Sequence, residues 1–197
     1  VEKFLIARRL MYWQVYLHKT GLVAENILVN VLKRAKELAE KGEELYASSS
    51  LKYYLQNPIT TNNFTEKTLE MFSKLDDFDV LSAIKEWVHH KDKVLSLLSK
   101  MIVDRKLLRI EIQKNNFEAS YIQKKQDNAV KKLQILKEDA HYFVFHQQIS
   151  NQAYNLKSPI LILNKKGKLK DIAKASDQLN IEALTIPVVK HFICYPK

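Results

Sequence analysis

The sequence predicts a mainly α fold that ends in a small α+β lobe, and three observations carry that expectation. Only three glycines and four prolines occur in 197 residues, which favours long helices over a succession of tight turns. From residue 1 to about 105, apolar side chains recur at helical spacing. After Arg105 the period shortens to two. Leu108, Ile110 and Ile112 alternate with Arg109, Glu111 and Gln113, the pattern of a half-buried strand. The expected division is therefore a helical part, 1–105, and an α+β lobe, 106–197, with one helix packed on a small, mostly antiparallel sheet.

Each element has a local reason. A first helix is expected over about Glu2–Leu17, with Gly21 as a kink or short break. A second, about Leu22–Glu40, sets Ile27, Leu28, Val31, Leu32, Ala35 and Leu38 on one stripe, and Gly42 stops it. Ser48–Ser50 cap a short helix through Tyr53, Tyr54 and Leu55, which Asn57-Pro58 ends. Asn62, Asn63 and Thr65 open a helix carrying Leu69, Met71, Phe72 and Leu75. Asp76 and Asp77 cap the next, where Val80, Leu81, Ile84, Trp87 and Val88 repeat at helical spacing. His89-His90-Lys91-Asp92 reads as a solvated turn before a helix from Lys93 to about Asp104. In the second half the expectations are a helix over Phe117–Lys137 and strands at His141–Ile149 and Pro159–Leu163. A turn at Asn164–Gly167 and a closing strand at Val188–Cys194 complete the lobe.

Composition limits the function classes. No apolar run approaches the roughly 18–20 residues that span a bilayer, and no signal peptide is legible at the start. The single Cys194 makes an internal disulfide impossible and suits a reducing cytoplasm. The net charge of +10 is unevenly spread. Residues 43–79 hold three Lys against seven Asp or Glu, whereas 105–137 hold nine Lys or Arg against three acids. Residues 157–197 hold eight Lys against three acids. Such asymmetry suits either a basic surface for polyanions or a solubilising coat.

The richest stretch chemically is VEKFLIARRLMYWQVYLHKT. At helical spacing Arg8, Tyr12, Tyr16 and Lys19 share one face. A guanidinium, two phenols and an ammonium on one stripe can hold an anion and a flat ring together. The alternative is an ordinary amphipathic helix with half-buried tyrosines and a solvated arginine. Elsewhere the chain offers no complete catalytic or metal site. Adjacent His89 and His90 point about 100° apart on a helix and are poor joint ligands. Asp76, Asp77 and Asp79 lack a calcium-loop spacing and read as helix caps. Ser176-Asp177 and the scattered histidines show no nucleophile–base spacing, and three glycines cannot build a phosphate loop.

The stretch FLIARRLMYWQVYLHKT, the helix LVAENILVNVLKRAKEL after it, and the later segments LDDFDVLSAIKEW and KMIVDRKLLRIEI resemble the HD-domain phosphohydrolases. That group contains the deoxynucleoside triphosphate triphosphohydrolases. The resemblance implies the C-terminal part of a longer enzyme, in which the helical part, 1–105, completes a nucleotide pocket. Its metal ligands, a His, a His-Asp pair and a later Asp, would lie upstream of Val1 and hold a divalent Mn, Mg, Fe or Zn. It implies no catalytic residue and no bound metal within this chain. Arg8 stands where the family places the arginine that meets the triphosphate, and Tyr16 where it places the tyrosine beside sugar and base. Tyr12 occupies a position where better-known members carry histidine. His18 and Lys19 match a pair, and Arg105 an arginine, that contact a regulatory nucleotide between subunits. The implied partners are a dNTP and further copies of the chain in a homo-oligomer, with no membrane. The alternative function is a non-catalytic basic module that binds single-stranded nucleic acid or assembles subunits, supported by the basic 105–137 segment with its Tyr121.

Overall fold

The computed structural model describes residues 2–152, 154–155, 157–165, 167–175 and 184–197. Ser176 and Asp177 lie outside the described residues. Helix α1 spans Glu2–Met11, a π-helical turn follows over Tyr12–Tyr16, and α2 spans Lys19–Glu40. The expected single helix to Leu17 with a break at Gly21 is thus corrected. The break falls at Leu17–His18, and Gly21 sits inside α2 with open space around it. The Leu17 amide donates to the Tyr12 carbonyl, five residues back, at 2.7 Å. The run YWQVY, three rings and a β-branched valine, has weak α propensity and accepts the wider turn.

Local signals do set the other helix ends. Gly42 adopts φ +87°, and the Glu43 amide donates back to the Leu38 carbonyl at 2.9 Å, closing α2 with a left-handed cap. Helix α3, Ser49–Gln56, is capped by Ser48, and α4, Glu66–Ser73, by Thr65. Helix α5, Asp77–Trp87, begins at Asp76, whose carboxylate accepts from the Phe78 and Asp79 amides while Asp79 accepts from the Asp76 amide. The acidic cluster is therefore a capping box. Helix α6, Lys93–Val103, is capped by Asp92.

Beyond α6 come β1, Arg109–Gln113; α7, Ala119–Leu133; a 3₁₀ turn, Lys137–Tyr142; and β2, Phe145–Asn151. Strands β3, Leu161–Leu163, and β4, Leu169–Asp171, pair antiparallel with Ile162 opposite Lys170. A four-residue helix α8, Ile172–Ala175, precedes β5, Val188–Tyr195. Strand β5 lies between β1 and β2 in a three-stranded sheet. The fold is thus mainly α with a small sheet in its C-terminal half. The strand expected from His141 begins only at Phe145. The preceding Tyr142, Phe143 and Val144 are buried, and a short apolar run reads the same whether turn or strand buries it. Among the described residues no helix is long and apolar enough to cross a membrane.

Two compact units interleave along the chain. The first comprises Val1–Leu22, Ile110–Ala119 and His146–Ile193; the second comprises Val23–Arg109, Ser120–Phe145 and Cys194–Lys197. The first 22 residues thus group with the lobe segments instead of with the helices that follow them. The cause is Leu5 of α1, 1% exposed, which packs with Tyr154, Ile172 and Leu184.

In the second unit α5 packs on α6, and α3 on α4 and α5. Ile27, Val31, Ala35, Ile84, Leu95 and Leu98 are fully buried. The indole N–H of the buried Trp87 donates to the Tyr46 carbonyl at 2.9 Å. Arg34 of α2 is the polar hub. It donates from Nε and Nη2 to the two oxygens of Asp92 at 3.1 and 2.7 Å, and also meets Glu37 at 3.5 Å and Asp139 at 3.6 Å. Its guanidinium lies 5.5 Å from the Tyr142 ring centroid. One side chain thus joins α2, the start of α6 and the 3₁₀ turn.

Burial works against ionisation of Asp92, but the Arg34 hydrogen bonds, the Leu95 amide and the Arg34 charge outweigh it and hold the carboxyl below its usual range. A carboxyl depressed in the folded state contributes stability above its unfolded pKa of about 4, and that contribution is lost as pH falls through the lower folded value. Asp92→Asn should flatten the acid limb of a stability–pH curve measured by thermal unfolding. Arg34→Ala should cost about 3 kcal/mol near neutral pH, because it strands two partly buried carboxylates. A change below about 0.5 kcal/mol would show that the hub is not structural.

Candidate functional site

Burial of Leu5 fixes which face of α1 is open. The Tyr154 hydroxyl under it donates to Asp171 Oδ2 at 2.8 Å and accepts from the Ile160 amide at 2.8 Å, tying the support together. Around α1, Phe4, Ala7, Arg8, Met11, Tyr12 and Tyr16 line a cavity of about 270 Å³. The structure therefore brings Arg8, Tyr12 and Tyr16 together. The Arg8 guanidinium lies 5.7 Å from the Tyr12 ring centroid, and the Tyr12 and Tyr16 rings are 5.1 Å apart, tilted by 47°. No carboxylate pairs with Arg8 among the described residues, so its guanidinium keeps donors for an anion, with water as competitor. A fork beside two phenol rings can bind phosphate oxygens and hold a sugar or ring at the same place.

Lys19 does not line that cavity, which corrects the expectation of one stripe. The π turn and the break at Leu17–His18 interrupt helical phase, so spacing counted from Arg8 no longer applies. His18 and Lys19 instead line a second cavity of the first unit, about 480 Å³, together with Trp13, Leu17, Lys114 and Lys190. Lys190 Nζ sits 4.0 Å from the centroid of the Trp13 ring. His18 Nδ1 accepts from the Thr20 amide at 3.3 Å. Among the described residues no carboxylate lines this cavity. Three ammonium groups, an imidazole and an indole suit a multiply charged anion, with or without a ring attached.

Trp13, Lys114 and Lys190 are absent from the sequence expectations. Lys114 follows β1 and Lys190 lies on β5, so only sheet pairing draws them toward one place. A lysine on an alternating strand carries no signal that distinguishes it from a solvated one. Arg105 lies in the second unit, just after α6 with φ 56°, and lines a cavity there. His89 and His90 occupy the turn before α6, where His90 Nδ1 accepts from the Asp92 amide at 3.0 Å. Among the described residues no group of three or more His, Cys, Asp or Glu is placed to hold a metal ion. Cys194 is buried, and burial pushes its thiol up to about 12, so it is no thiolate nucleophile near neutral pH.

The second cavity is open to a direct test with inorganic tripolyphosphate. Trp13 is the partly exposed one of two tryptophans, so tripolyphosphate should change intrinsic fluorescence saturably. Lys190→Ala and Lys114→Ala should each weaken the midpoint by about tenfold, the worth of one charge-assisted hydrogen bond. A response matched by sodium chloride of equal ionic strength would show screening and no site.

No protein-family model matches the chain. Over 100% of its length the chain is similar to a phosphohydrolase of Bacteroides thetaiotaomicron VPI-5482, with 42% identity and a TM-score of 0.91, and it covers 49% of that chain. It is 28% identical over 186 residues to the uncharacterized protein YwfO of Bacillus subtilis (strain 168), which is 89% of this chain and 40% of YwfO. The chain therefore has a fold shared with part of a phosphohydrolase, and spans less than half the length of either relative.

Proposed function

We propose that the chain is the C-terminal part of an HD-domain nucleotide phosphohydrolase that releases triphosphate from a deoxynucleoside triphosphate. One observation carries the reading: Arg8, Tyr12 and Tyr16 line a single cavity on a fold similar throughout to that of a phosphohydrolase. In this reading the Arg8 fork binds oxygens of the triphosphate, and Tyr12 stands beside the same group. Tyr16, 59% exposed, offers its ring to the sugar and base. Holding the phosphate chain in one orientation is this chain's contribution to the reaction. The divalent metal of such an enzyme would be bound by residues outside those described.

The second cavity supports a regulatory part for His18 and Lys19. A nucleotide whose phosphates meet these groups and Lys190 would neutralise a concentration of positive charge. That charge otherwise opposes assembly of a homo-oligomer. The same lysines and Trp13 also support the runner-up reading, a single-stranded nucleic-acid site. Salt separates the two: nucleic-acid affinity should fall steeply with ionic strength, while a nucleotide pocket should discriminate among bases.

In the intact protein, Arg8→Ala should lower kcat/KM for dNTP hydrolysis about tenfold to a hundredfold with folding retained. Arg8→Lys should recover little, because an ammonium cannot form the bidentate pair. Wild-type turnover in Arg8→Ala would return the residue to a solvated helix face. For regulation, Lys19→Glu should abolish dGTP-promoted oligomers in sedimentation and leave the unliganded species as it was. Oligomers indifferent to both dGTP and the substitution would make Lys19 an ordinary surface charge.

A further inference from the structure

A cavity of about 550 Å³ opens in the second unit at the C-terminal end of α6. Its floor is aliphatic. Leu97 and Met101 stand one helical turn apart on α6, Leu107 and Leu108 follow the helix, and Leu133 ends α7. Its rim is cationic, with Lys100, Arg105, Lys106, Lys132 and Lys197 against Asp104 among the described residues. Lys132 is engaged with the Lys197 carbonyl. Lys100, Arg105 and Lys106 make no ion pair among the described residues.

The backbone at Arg105 adds an independent observation. With φ 56° it occupies the left-handed position that ends a helix, where glycine is the ordinary choice. A guanidinium stands instead at the cavity rim, in a conformation that costs a side chain energy. Among the described residues no aromatic ring lines the cavity, so a nucleobase would find none of them to stack on. Leucine and methionine walls favour an alkyl chain, and the volume falls within the range of small-molecule sites.

We propose that this cavity binds a free single-chain anionic amphiphile, its alkyl tail on the leucine floor and its carboxylate or phosphate head held by Arg105 with Lys100 and Lys106. The proposal is independent of the substrate pocket at Arg8, Tyr12 and Tyr16, but it competes with the regulatory-nucleotide role that the resemblance gives Arg105.

Calorimetric titration of the intact protein with dodecanoate, kept below its micellar concentration, tests it. One saturable site is expected. Arg105→Gly removes the charge at a position glycine suits, so the fold should be retained while affinity drops about tenfold. Arg105→Lys should recover part of that loss. Leu133→Gln should weaken dodecanoate similarly, and acetate should not bind. Dodecyltrimethylammonium binding as tightly as dodecanoate would overturn the proposal, as would several weak sites unaffected by either variant. Competitive displacement by dGTP would assign the cavity to a nucleotide instead. Co-sedimentation with phosphatidylglycerol vesicles that Arg105→Gly abolishes would assign it to a membrane surface and overturn the free ligand.

Discussion

The hydrogen bond from the Leu17 amide to the Tyr12 carbonyl decides where the candidate ligand groups lie. Five residues back instead of four, it marks a π turn, and the chain breaks immediately after it. Arg8 and Tyr12 remain in the phase of α1, and Tyr16 still meets Tyr12 at 5.1 Å. His18 and Lys19 leave that phase and line another cavity. A regular α-helix through Lys19 would instead present one long mixed stripe. Turns of this kind are rare and occur frequently at functional sites.

That turn is useful only because α1 is anchored. Leu5 supplies the anchor through Tyr154, Ile172 and Leu184, with the Tyr154 hydroxyl bonded to Asp171 and Ile160. The second unit has a different kind of anchor. Arg34 satisfies Asp92, which also caps α6, so a single guanidinium supports both an ion pair and a helix start. Arginine suits this role because its fork engages both carboxylate oxygens, which lysine cannot do.

Much of the helical half was legible because its signals are local. Ser48, Thr65 and Asp76 bond amides within three residues of themselves, and Gly42 closes α2 through its own φ. The α2 stripe needed only periodicity, and Ile27, Val31 and Ala35 are indeed buried. The break expected at Gly21 falls at Leu17–His18 because the local run YWQVY takes a wider turn. Tyr142–Val144 reads as strand from composition, and packing decides otherwise. The same holds for Asp92, read as part of a solvated turn and found to pair with Arg34 from 58 positions away.

For the candidate site, the sequence alone determined the chemistry that α1 and the π turn after it carry: the types and spacing of Arg8, Tyr12 and Tyr16, which survive into one cavity because they lie within nine consecutive residues. Tertiary structure decided the rest. Trp13 meets Lys190 from a strand 177 positions along the chain, and Arg105 lines one cavity with Leu133 of α7. Capping and periodicity are interactions within a few residues, so local sequence encodes them. A cavity closes between segments joined by long loops, whose meeting depends on which apolar faces bury each other, and no single segment contains that information.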